Sequence, residues 1–286
     1  MDKGKCMMSM KKTLYISDLD GTLLNEKAIL TEYTKNTLNN LISRGLHFTV
    51  ATGRTTDAAV KLIADLDVSI PLIAFTGVDI FDVRNNRHVN VHRLSGETAR
   101  SVIHLLRQHQ IDPLVYQMKG DSFVSYYESL AHAPMNTFVE NRKTRFQSVF
   151  CQIGNFDNLA SDNTMYFTMI DIYGKLSPAY DALHKIQGIA ISFMNDSYGS
   201  DLWMLEVFSD KASKENAVRF LRETYRFEKV IGFGDNLNDL PLFAACDVKI
   251  AVNNANQEVK AAADFICDTN SNDGVAKWLW ENYHGE

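Results

Sequence analysis

The order of predicted strands and helices divides this chain of 286 residues into three parts. Near the start, apolar runs of strand length at 13–16, 47–51 and 71–75 alternate with helical patterns over 31–45 and 58–66. Such runs are typical of strands that are buried on both faces. Strand, helix, strand, helix, strand predicts a doubly wound parallel sheet.

The middle of the chain breaks this alternation. Residues 78–83 and 88–92 alternate in polarity around a polar tetrapeptide and predict a hairpin, and further strand-like stretches follow with few helices between them. After residue 200 the strand–helix alternation returns. We therefore predict an α/β, doubly wound parallel-sheet core over 11–84 and 201–286, interrupted by an inserted α+β cap domain over 85–200.

Composition excludes several classes of partner. The net charge is −6 and the sequence contains no run rich in lysine or arginine, so we expect no nucleic-acid partner and no acidic membrane partner. No apolar run approaches the length that spans a bilayer. The four cysteines show no Cys-x-x-Cys spacing, which favours reduced thiols over a zinc site. We expect a cytoplasmic protein.

A pair of aspartates follows the first predicted strand. Asp18 and Asp20 are separated by Leu19 and followed by Gly21, which permits a sharp turn of the backbone. Carboxylates two residues apart point the same way from an extended strand end. A divalent cation makes such close negative charges tolerable, and hard oxygen ligands favour magnesium. The alternative is a turn with two solvated acids.

Two further polar clusters follow later strands. Thr52 and Gly53 come after the second strand, where a hydroxyl and a free backbone N–H can hold a phosphoryl oxygen. The segment 232–239, Gly-Phe-Gly-Asp-Asn-Leu-Asn-Asp, follows a strand near the end of the chain. Ligands of open α/β sheets bind beyond the carboxyl ends of the strands, so we expect these clusters to converge. Each alone could be an ordinary polar loop before a helix.

The Asp-x-Asp-Gly-Thr sequence at residues 18–22 and the Gly-Asp-x-x-Asn-Asp sequence that contains Asp235 resemble motifs of the haloacid dehalogenase superfamily of phosphohydrolases. The resemblance implies a Rossmann-like core and assigns Asp18 as the nucleophile. It also assigns Asp20 as the general acid/base. Splitting one displacement into two steps through a covalent intermediate makes physical sense.

The same resemblance assigns the remaining site. It implies phosphate binding by Thr52 and Gly53, and Mg²⁺ binding by Asp18, Asp235 and the backbone carbonyl of Asp20. Asp239 would lie near the metal, directly or through water, and Asn238 would hold the lysine or the phosphate. The final list of expected site residues is therefore Asp18, Asp20, Thr52, Gly53, Lys214, Asp235, Asn238 and Asp239.

The catalytic lysine has two candidates in the sequence, Lys211 and Lys214. The family's lysine opens the helix after the cap within Ser-Lys-Gly-x-Ala. Ser213-Lys214 followed by Ala217 fits that pattern better, although Glu215 stands where glycine is common. We therefore predict Lys214 for both catalysis and phosphate binding. A solvated lysine on a helix face is the alternative.

The long insert and the late sequence pattern resemble the Cof-type branch, subfamily IIB, over the whole chain. Thr76 and Asn253 lie in segments that depart from the usual pattern of this branch, which bears on substrate fit more than on chemistry. The resemblance implies a Mg²⁺-dependent phosphatase that acts on small phosphorylated metabolites such as sugar phosphates. The alternatives are a phosphomutase or other phosphotransferase of the same superfamily, and a non-catalytic metabolite-binding module.

Overall fold

A computed structural model of the protein describes residues 12–157, 159–195 and 201–285. These residues form two compact units. The first unit comprises the described residues within 1–52, 62–72 and 214–286, and the second comprises those within 53–61 and 73–213.

The strands and helices alternate along most of the chain. The strands are β1 (Thr13–Ser17), β2 (His47–Val50), β3 (Leu72–Ala74), β4 (Asp79–Asp82), β5 (Arg87–Val91), β6 (Leu114–Lys119), β7 (Ser122–Tyr127), β8 (Phe150–Gln152), β9 (Thr164–Ile172), β10 (Ile189–Asn195), β11 (Leu202–Ser209), β12 (Lys229–Gly234), β13 (Val248–Val252) and β14 (Phe265–Cys267). The helices are α1 (Glu32–Ser43), α2 (Thr56–Leu62), α3 (Gly96–Gln108), α4 (Ala133–Phe146), α5 (Tyr173–Leu183), α6 (Lys214–Tyr225), α7 (Leu240–Ala244), α8 (Gln257–Ala262) and α9 (Gly274–Asn282).

The first unit contains a five-stranded sheet in the order β14-β13-β12-β1-β2, in which every pair of neighbours is parallel. All five residues of β1 are buried, as expected for a central parallel strand covered on both faces. Helix α1 begins after Thr31, whose side chain accepts from the Thr34 N–H and satisfies one orphan donor of the first turn. The predicted α/β fold with a parallel-sheet core is confirmed.

The third predicted strand lies in a different sheet from the one expected. Strand β3 belongs to a three-stranded sheet in the order β3-β4-β5, whereas the sequence placed it in the parallel sheet. The chain turns through a short 3-10 helix at Phe75–Gly77 and enters β4 directly. This turn carries the chain from β3 into the β4–β5 hairpin, and β3 has β4 as its neighbour in the sheet. The hairpin of β4 and β5 is confirmed as an antiparallel pair.

The second unit also contains a six-stranded sheet in the order β10-β11-β9-β6-β7-β8. Its neighbouring strands are antiparallel except for β7 and β8. Helices α3 and α5 cover one face with an apolar core that includes Val102, Leu176, Phe167 and Val207. This is an α+β arrangement of the kind predicted for the cap.

The predicted domain boundaries at 84/85 and 200/201 stay a prediction. The compact units group residues 73–84 and 201–213 with the second unit, because β4 and β5 form their hairpin there and β11 pairs with β9 and β10. Within residues 12–157, 159–195 and 201–285, every helix is too short or too polar to span a bilayer.

Candidate active site

Asp18 directly follows the central strand β1 of the parallel sheet. Its N–H donates to the Phe233 carbonyl of β12 at 3.0 Å, which continues the pairing of the two strands to their carboxyl ends. The side chain is 5% exposed, although aspartate is rarely buried without a partner. A carboxylate held this deeply at a strand end lies where ligands of open α/β sheets bind.

The turn after Asp18 brings its backbone to Asp235. The Leu19 carbonyl accepts from the N–H groups of Leu23 at 3.0 Å and Leu24 at 2.8 Å. Gly21 lies at φ +80°, and a Cβ atom on it would lie 2.4 Å from Oδ2 of Asp235. Glycine is therefore required here both for the left-handed backbone and for the close approach of the carboxylate.

We expect Gly21→Ala to lower kcat by about tenfold or more, because the new methyl group displaces the Asp235 carboxylate and a misplacement of 1 Å is costly in catalysis. Gly120→Ala is the matched control, since Gly120 lies at φ +63° with no atom within 4 Å of the added Cβ. Both variants carry the cost of a left-handed alanine. Steady-state turnover is the measurement, and equal activity of the two variants would contradict the prediction.

Two side chains fix this turn and the Asp235 carboxylate. The Thr22 hydroxyl donates to Oδ1 of Asp235 at 2.7 Å. The Asn254 amide donates to the Gly21 carbonyl at 2.7 Å, and Asn270 N–H donates to Oδ1 of Asn254 at 2.9 Å. The sequence motif at residues 18–22 includes Thr22, to which the sequence analysis assigned no role. Both contacts orient groups of the site from the same unit.

The loop after β12 orients a second pair of carboxylates. Asp235 and Asp239 lie four residues apart, and Oδ2 of Asp239 accepts from the Asp235 N–H at 2.9 Å and the Asn236 N–H at 3.1 Å. Asp239 is fully buried. A Cβ on Gly234 would lie 2.7 Å from the Asp239 Cβ, so this glycine lets the loop fold back on itself.

Lys214 is the first residue of α6 and lies between two of these carboxylates. Its Nζ donates to Oδ1 of Asp18 at 2.6 Å and to Oδ1 of Asp239 at 2.7 Å. The side chain is 1% exposed, whereas the alternative candidate Lys211 is exposed. A buried ammonium with two charge-assisted hydrogen bonds offsets part of the negative charge of this carboxylate cluster.

Crowded charge and burial shift the ionisation of this cluster. Burial raises the pKa of Asp18 well above its usual value, and the neighbouring Asp239 adds to this while Lys214 opposes it. Burial, with repulsion from Asp239, raises the pKa of Asp235 to about 7. Burial alone would lower the pKa of Lys214, but attraction to Asp18 and Asp239 outweighs it and raises that pKa.

The acidic cluster fits a divalent metal ion. One oxygen from each of Asp18, Asp235 and Asp239 can be chosen so that all three lie within 4.8 Å of one another. Three carboxylates with one ammonium leave an excess of negative charge, and repulsion from Asp239 adds to the burial that raises the pKa values of Asp18 and Asp235. An all-oxygen donor set suits hard cations such as Mg²⁺. These residues could bind a metal ion.

The remaining predicted site residues are Asp20, Thr52, Gly53 and Asn238. Thr52 is buried just after β2 in the first unit, and Gly53 follows it in the chain. Asn238 lies in a 3-10 turn at Leu237–Asp239, and the described hydrogen bonds of the Lys214 Nζ go to Asp18 and Asp239 instead. The assigned roles of these residues and of Asp20 stay predictions.

The fold and the buried cluster fit a phosphohydrolase of the type expected from the sequence, and comparison with known proteins gives its family. Residues 15–279 match the family model of haloacid dehalogenase-like hydrolases. The chain belongs to this family and is a Cof-type phosphatase.

Relatives match over nearly the whole chain. The 5-amino-6-(5-phospho-D-ribitylamino)uracil phosphatase YwtE of Bacillus subtilis (strain 168) is 25% identical over 284 residues, covering 94% of this chain and 97% of the relative. The pyridoxal phosphate phosphatase YbhA of Escherichia coli (strain K12) is 22% identical, covering 93% and 96%. The crystal structure of a haloacid dehalogenase-like hydrolase from Bacteroides thetaiotaomicron superposes with a TM-score of 0.80 at 23% identity, covering 96% of this chain and 100% of that one.

Proposed function

We propose that this protein is a Mg²⁺-dependent phosphatase that hydrolyses small phosphate monoesters, sugar phosphates or related metabolites, through an aspartyl-phosphate on Asp18. The observation that carries the proposal is the buried Asp18 carboxylate, hydrogen-bonded to the Lys214 ammonium and close to Asp235 and Asp239. The names of the relatives support the substrate class, because YwtE and YbhA act on small phosphorylated metabolites.

In the first step an Asp18 oxygen attacks phosphorus in line with the ester oxygen. The new O–P bond forms as the bond to the leaving alcohol breaks, and Asp20 gives its proton to the departing oxygen. The ammonium of Lys214 lies 2.6 Å from the nucleophile and offsets the charge on the phosphoryl oxygens. Asp20 is less buried than Asp18, so it can exchange a proton with solvent.

In the second step water hydrolyses the acyl phosphate. Asp20, now ionised, removes a proton from the attacking water, and the P–O bond to Asp18 breaks to restore the carboxylate. Thr52 and Gly53 are proposed to hold the phosphoryl oxygens. Mg²⁺ would be held by Asp18, Asp235 and the Asp20 carbonyl, with Asp239 nearby, and when bound it supplies positive charge beside the transferring phosphoryl group.

A panel of phosphate esters tests the function. We expect phosphate release from sugar phosphates and other small monoesters in the presence of Mg²⁺, and none after chelation. Inorganic phosphate, and not a phosphorylated acceptor, should account for the ester consumed. Transfer of the group to a sugar would indicate a phosphotransferase, and failure with every ester would contradict the proposed function.

Metal binding should be measurable in the absence of substrate, as a change in melting temperature. At pH 8 we expect a saturating concentration of Mg²⁺ to raise the melting temperature by about 5 °C or more, as binding at 100 times Kd stabilises by about 2.7 kcal/mol. In Asp235→Asn the shift should disappear. The metal-free variant should be at least as stable as the wild type, because the pKa of Asp235 is raised to about 7 and its ionised form is unfavourable at pH 8.

Asp65→Asn is the control for that measurement. Asp65 is 68% exposed, pairs with Lys35 and is not a member of the acidic cluster. Its variant should keep the full response to Mg²⁺. A shift that persists in Asp235→Asn would show that the metal binds elsewhere.

A further inference from the structure

The turn after Asp18 is held by a distant part of the chain. Within the turn, the Leu19 carbonyl accepts from the Leu24 N–H at 2.8 Å, and Asp20 forms an isolated β-bridge with Leu24. The carbonyls of Gly21 and Leu24 accept instead from side chains that lie 233 and 246 residues later in the sequence. The position of this turn, which carries Asp20, therefore depends on partners outside it.

Two asparagines supply these partners. The Asn254 amide donates to the Gly21 carbonyl at 2.7 Å, and the Asn270 amide donates to the Leu24 carbonyl at 2.9 Å. The two asparagines are also joined to each other, because the Asn270 N–H donates to Oδ1 of Asn254 at 2.9 Å. Asn254 and Asn270 thus form an asparagine clamp on the two ends of segment 21–24. All of these residues belong to the first unit.

The loop that carries Asn254 is also fixed to the acidic cluster through its backbone. Strand β13 ends at Val252, and the Ala255 N–H donates back to the Val252 carbonyl at 2.9 Å. The next N–H, that of Asn256, donates to the Asp235 carbonyl at 2.8 Å. One short loop therefore bonds both to the turn after β1 and to the loop after β12.

Asp18 is held by contacts other than the asparagine clamp. Its N–H donates to the Phe233 carbonyl of the neighbouring strand, and its carboxylate accepts from the Lys214 ammonium. Strand β1 ends at Ser17, so Asp20 lies beyond the strand pairing and within the clamped turn. Loss of the clamp should therefore displace Asp20 more than Asp18.

Asn254 is exposed, and its removal should affect position more than stability. When an exposed side chain is truncated, water can replace its hydrogen bond, so the cost of an unsatisfied buried group does not arise. A water molecule, however, is not tied to the neighbouring loop as the Asn254 amide is. Truncation should therefore leave the fold intact and let the turn move.

We propose that Asn254 is a positioning residue for Asp20. Through the Gly21 carbonyl it holds the turn so that the Asp20 carboxyl can give its proton to the leaving oxygen and then take a proton from water. The inference rests on the proposed phosphatase function and on the acid/base role proposed there for Asp20. Both proton transfers require hydrogen-bond distance, and a displacement of about 1 Å is costly.

The test compares two monoesters of similar size whose leaving groups differ in basicity. Benzyl phosphate releases an alkoxide, which must be protonated as it departs, whereas p-nitrophenyl phosphate releases a stable phenolate. At saturating Mg²⁺, Asn254→Ala should lower kcat/KM for benzyl phosphate by about 10-fold, a part of the contribution of a positioned acid. It should change kcat/KM for p-nitrophenyl phosphate by less than about threefold, because formation of the phosphoenzyme from this ester needs no acid.

Hydrolysis of the phosphoenzyme gives a second readout, because this step needs Asp20 whichever ester formed the intermediate. With p-nitrophenyl phosphate, Asn254→Ala should release a burst of about one p-nitrophenol per active site, followed by a kcat about tenfold below that of the wild type. KM should fall by a similar factor, since kcat/KM is nearly unchanged. A variant that merely contained less folded enzyme would lose burst and steady rate together.

Asn39→Ala is the matched control, because Asn39 makes the same pair of hydrogen bonds between α1 and the segment after α2. Its amide donates to the Asp65 carbonyl at 2.8 Å, and its Oδ1 accepts from the Asp67 N–H at 3.0 Å. This variant should change neither the ratio of the two kcat/KM values nor the burst.

Asn254→Asp is a second variant that separates the two bonds of Asn254. It keeps an acceptor for the Asn270 N–H and removes the donor to the Gly21 carbonyl, so it should show the same two changes as Asn254→Ala. Its added charge acts on both esters and cancels in the ratio. Thermal melting should place both variants within a few degrees of the wild type.

Equal losses of kcat/KM on the two esters in folded variants would assign Asn254 a structural role, and no loss on either ester would also overturn the inference. A normal response in Asn254→Asp would show that the bond to Gly21 is not what positions Asp20. These outcomes leave the proposed function standing, because the wild type still turns over. Failure of the wild type with every ester would overturn the proposed function and this inference together.

Discussion

Asp18→Asn is expected to reduce phosphate release by at least about 10⁴-fold, because an amide cannot replace the attacking carboxylate. The substitution keeps the shape of the side chain. It also removes one negative charge from a group whose pKa burial and Asp239 have raised. The fold should therefore survive, and circular dichroism with thermal melting should show a melting temperature within a few degrees of the wild type.

Trapping the covalent intermediate distinguishes loss of the nucleophile from a general loss of activity. Acid quenching of the wild type during turnover of a ³²P-labelled ester should trap label on the protein, and Asp18→Asn should trap none. Asp20→Asn serves as the comparison, since it keeps the nucleophile and slows the steps that need the acid/base. Retention of more than about a tenth of the activity in a folded Asp18→Asn protein would contradict its role as nucleophile.

The position of the acidic cluster could be predicted because it depends on short local patterns. Asp18 and Asp235 each follow a buried strand, and the parallel pairing of β1 with β12 brings the ends of these strands together. Lys214 was also placed by its motif, and the structure brings its ammonium to Asp18. In each case a few neighbouring residues carried the information.

Contacts between distant residues could not be predicted in the same way. The hydrogen bond from Thr22 to Asp235 joins residues 213 positions apart, and no local pattern encodes such a partner. The neighbours of Glu206 depend on the register of β11 against β9 and β10, which is set by the whole sheet. Strand β11 itself was not predicted.

Helix α4 was missed for a different reason. Its sequence, Ala-Pro-Met-Asn-Thr-Phe-Val-Glu-Asn-Arg-Lys-Thr-Arg-Phe, lacks a continuous apolar stripe, which is the main signal of a surface helix. Only Met135, Val139 and Phe146 are buried in it. A helix with so few buried positions and a long polar side is easily mistaken for a loop in the sequence.

Removal of the Lys214 ammonium should strongly destabilise the folded protein. Lys214→Met fills similar space but leaves the Asp18 and Asp239 carboxylates without their shared partner. Breaking a buried ion pair by deleting one member costs about 3–5 kcal/mol. We therefore expect the metal-free variant to unfold at a much lower urea concentration at pH 8, and to have no detectable phosphatase activity.

Lys211→Met is the control for Lys214→Met, because Lys211 is only three residues away but exposed. It should keep the stability of the wild type.

If the loss of stability in Lys214→Met arises from crowded negative charge, conditions that neutralise the carboxylates should reduce that loss. Lowering the pH from 8 to 5 protonates groups whose pKa values are raised in the folded state, and so should recover part of the lost free energy of unfolding. Mg²⁺ should also recover part of it, without restoring turnover. A loss that neither acid nor Mg²⁺ reduces would mean that Lys214 acts through packing, and the electrostatic account of the site would then be wrong.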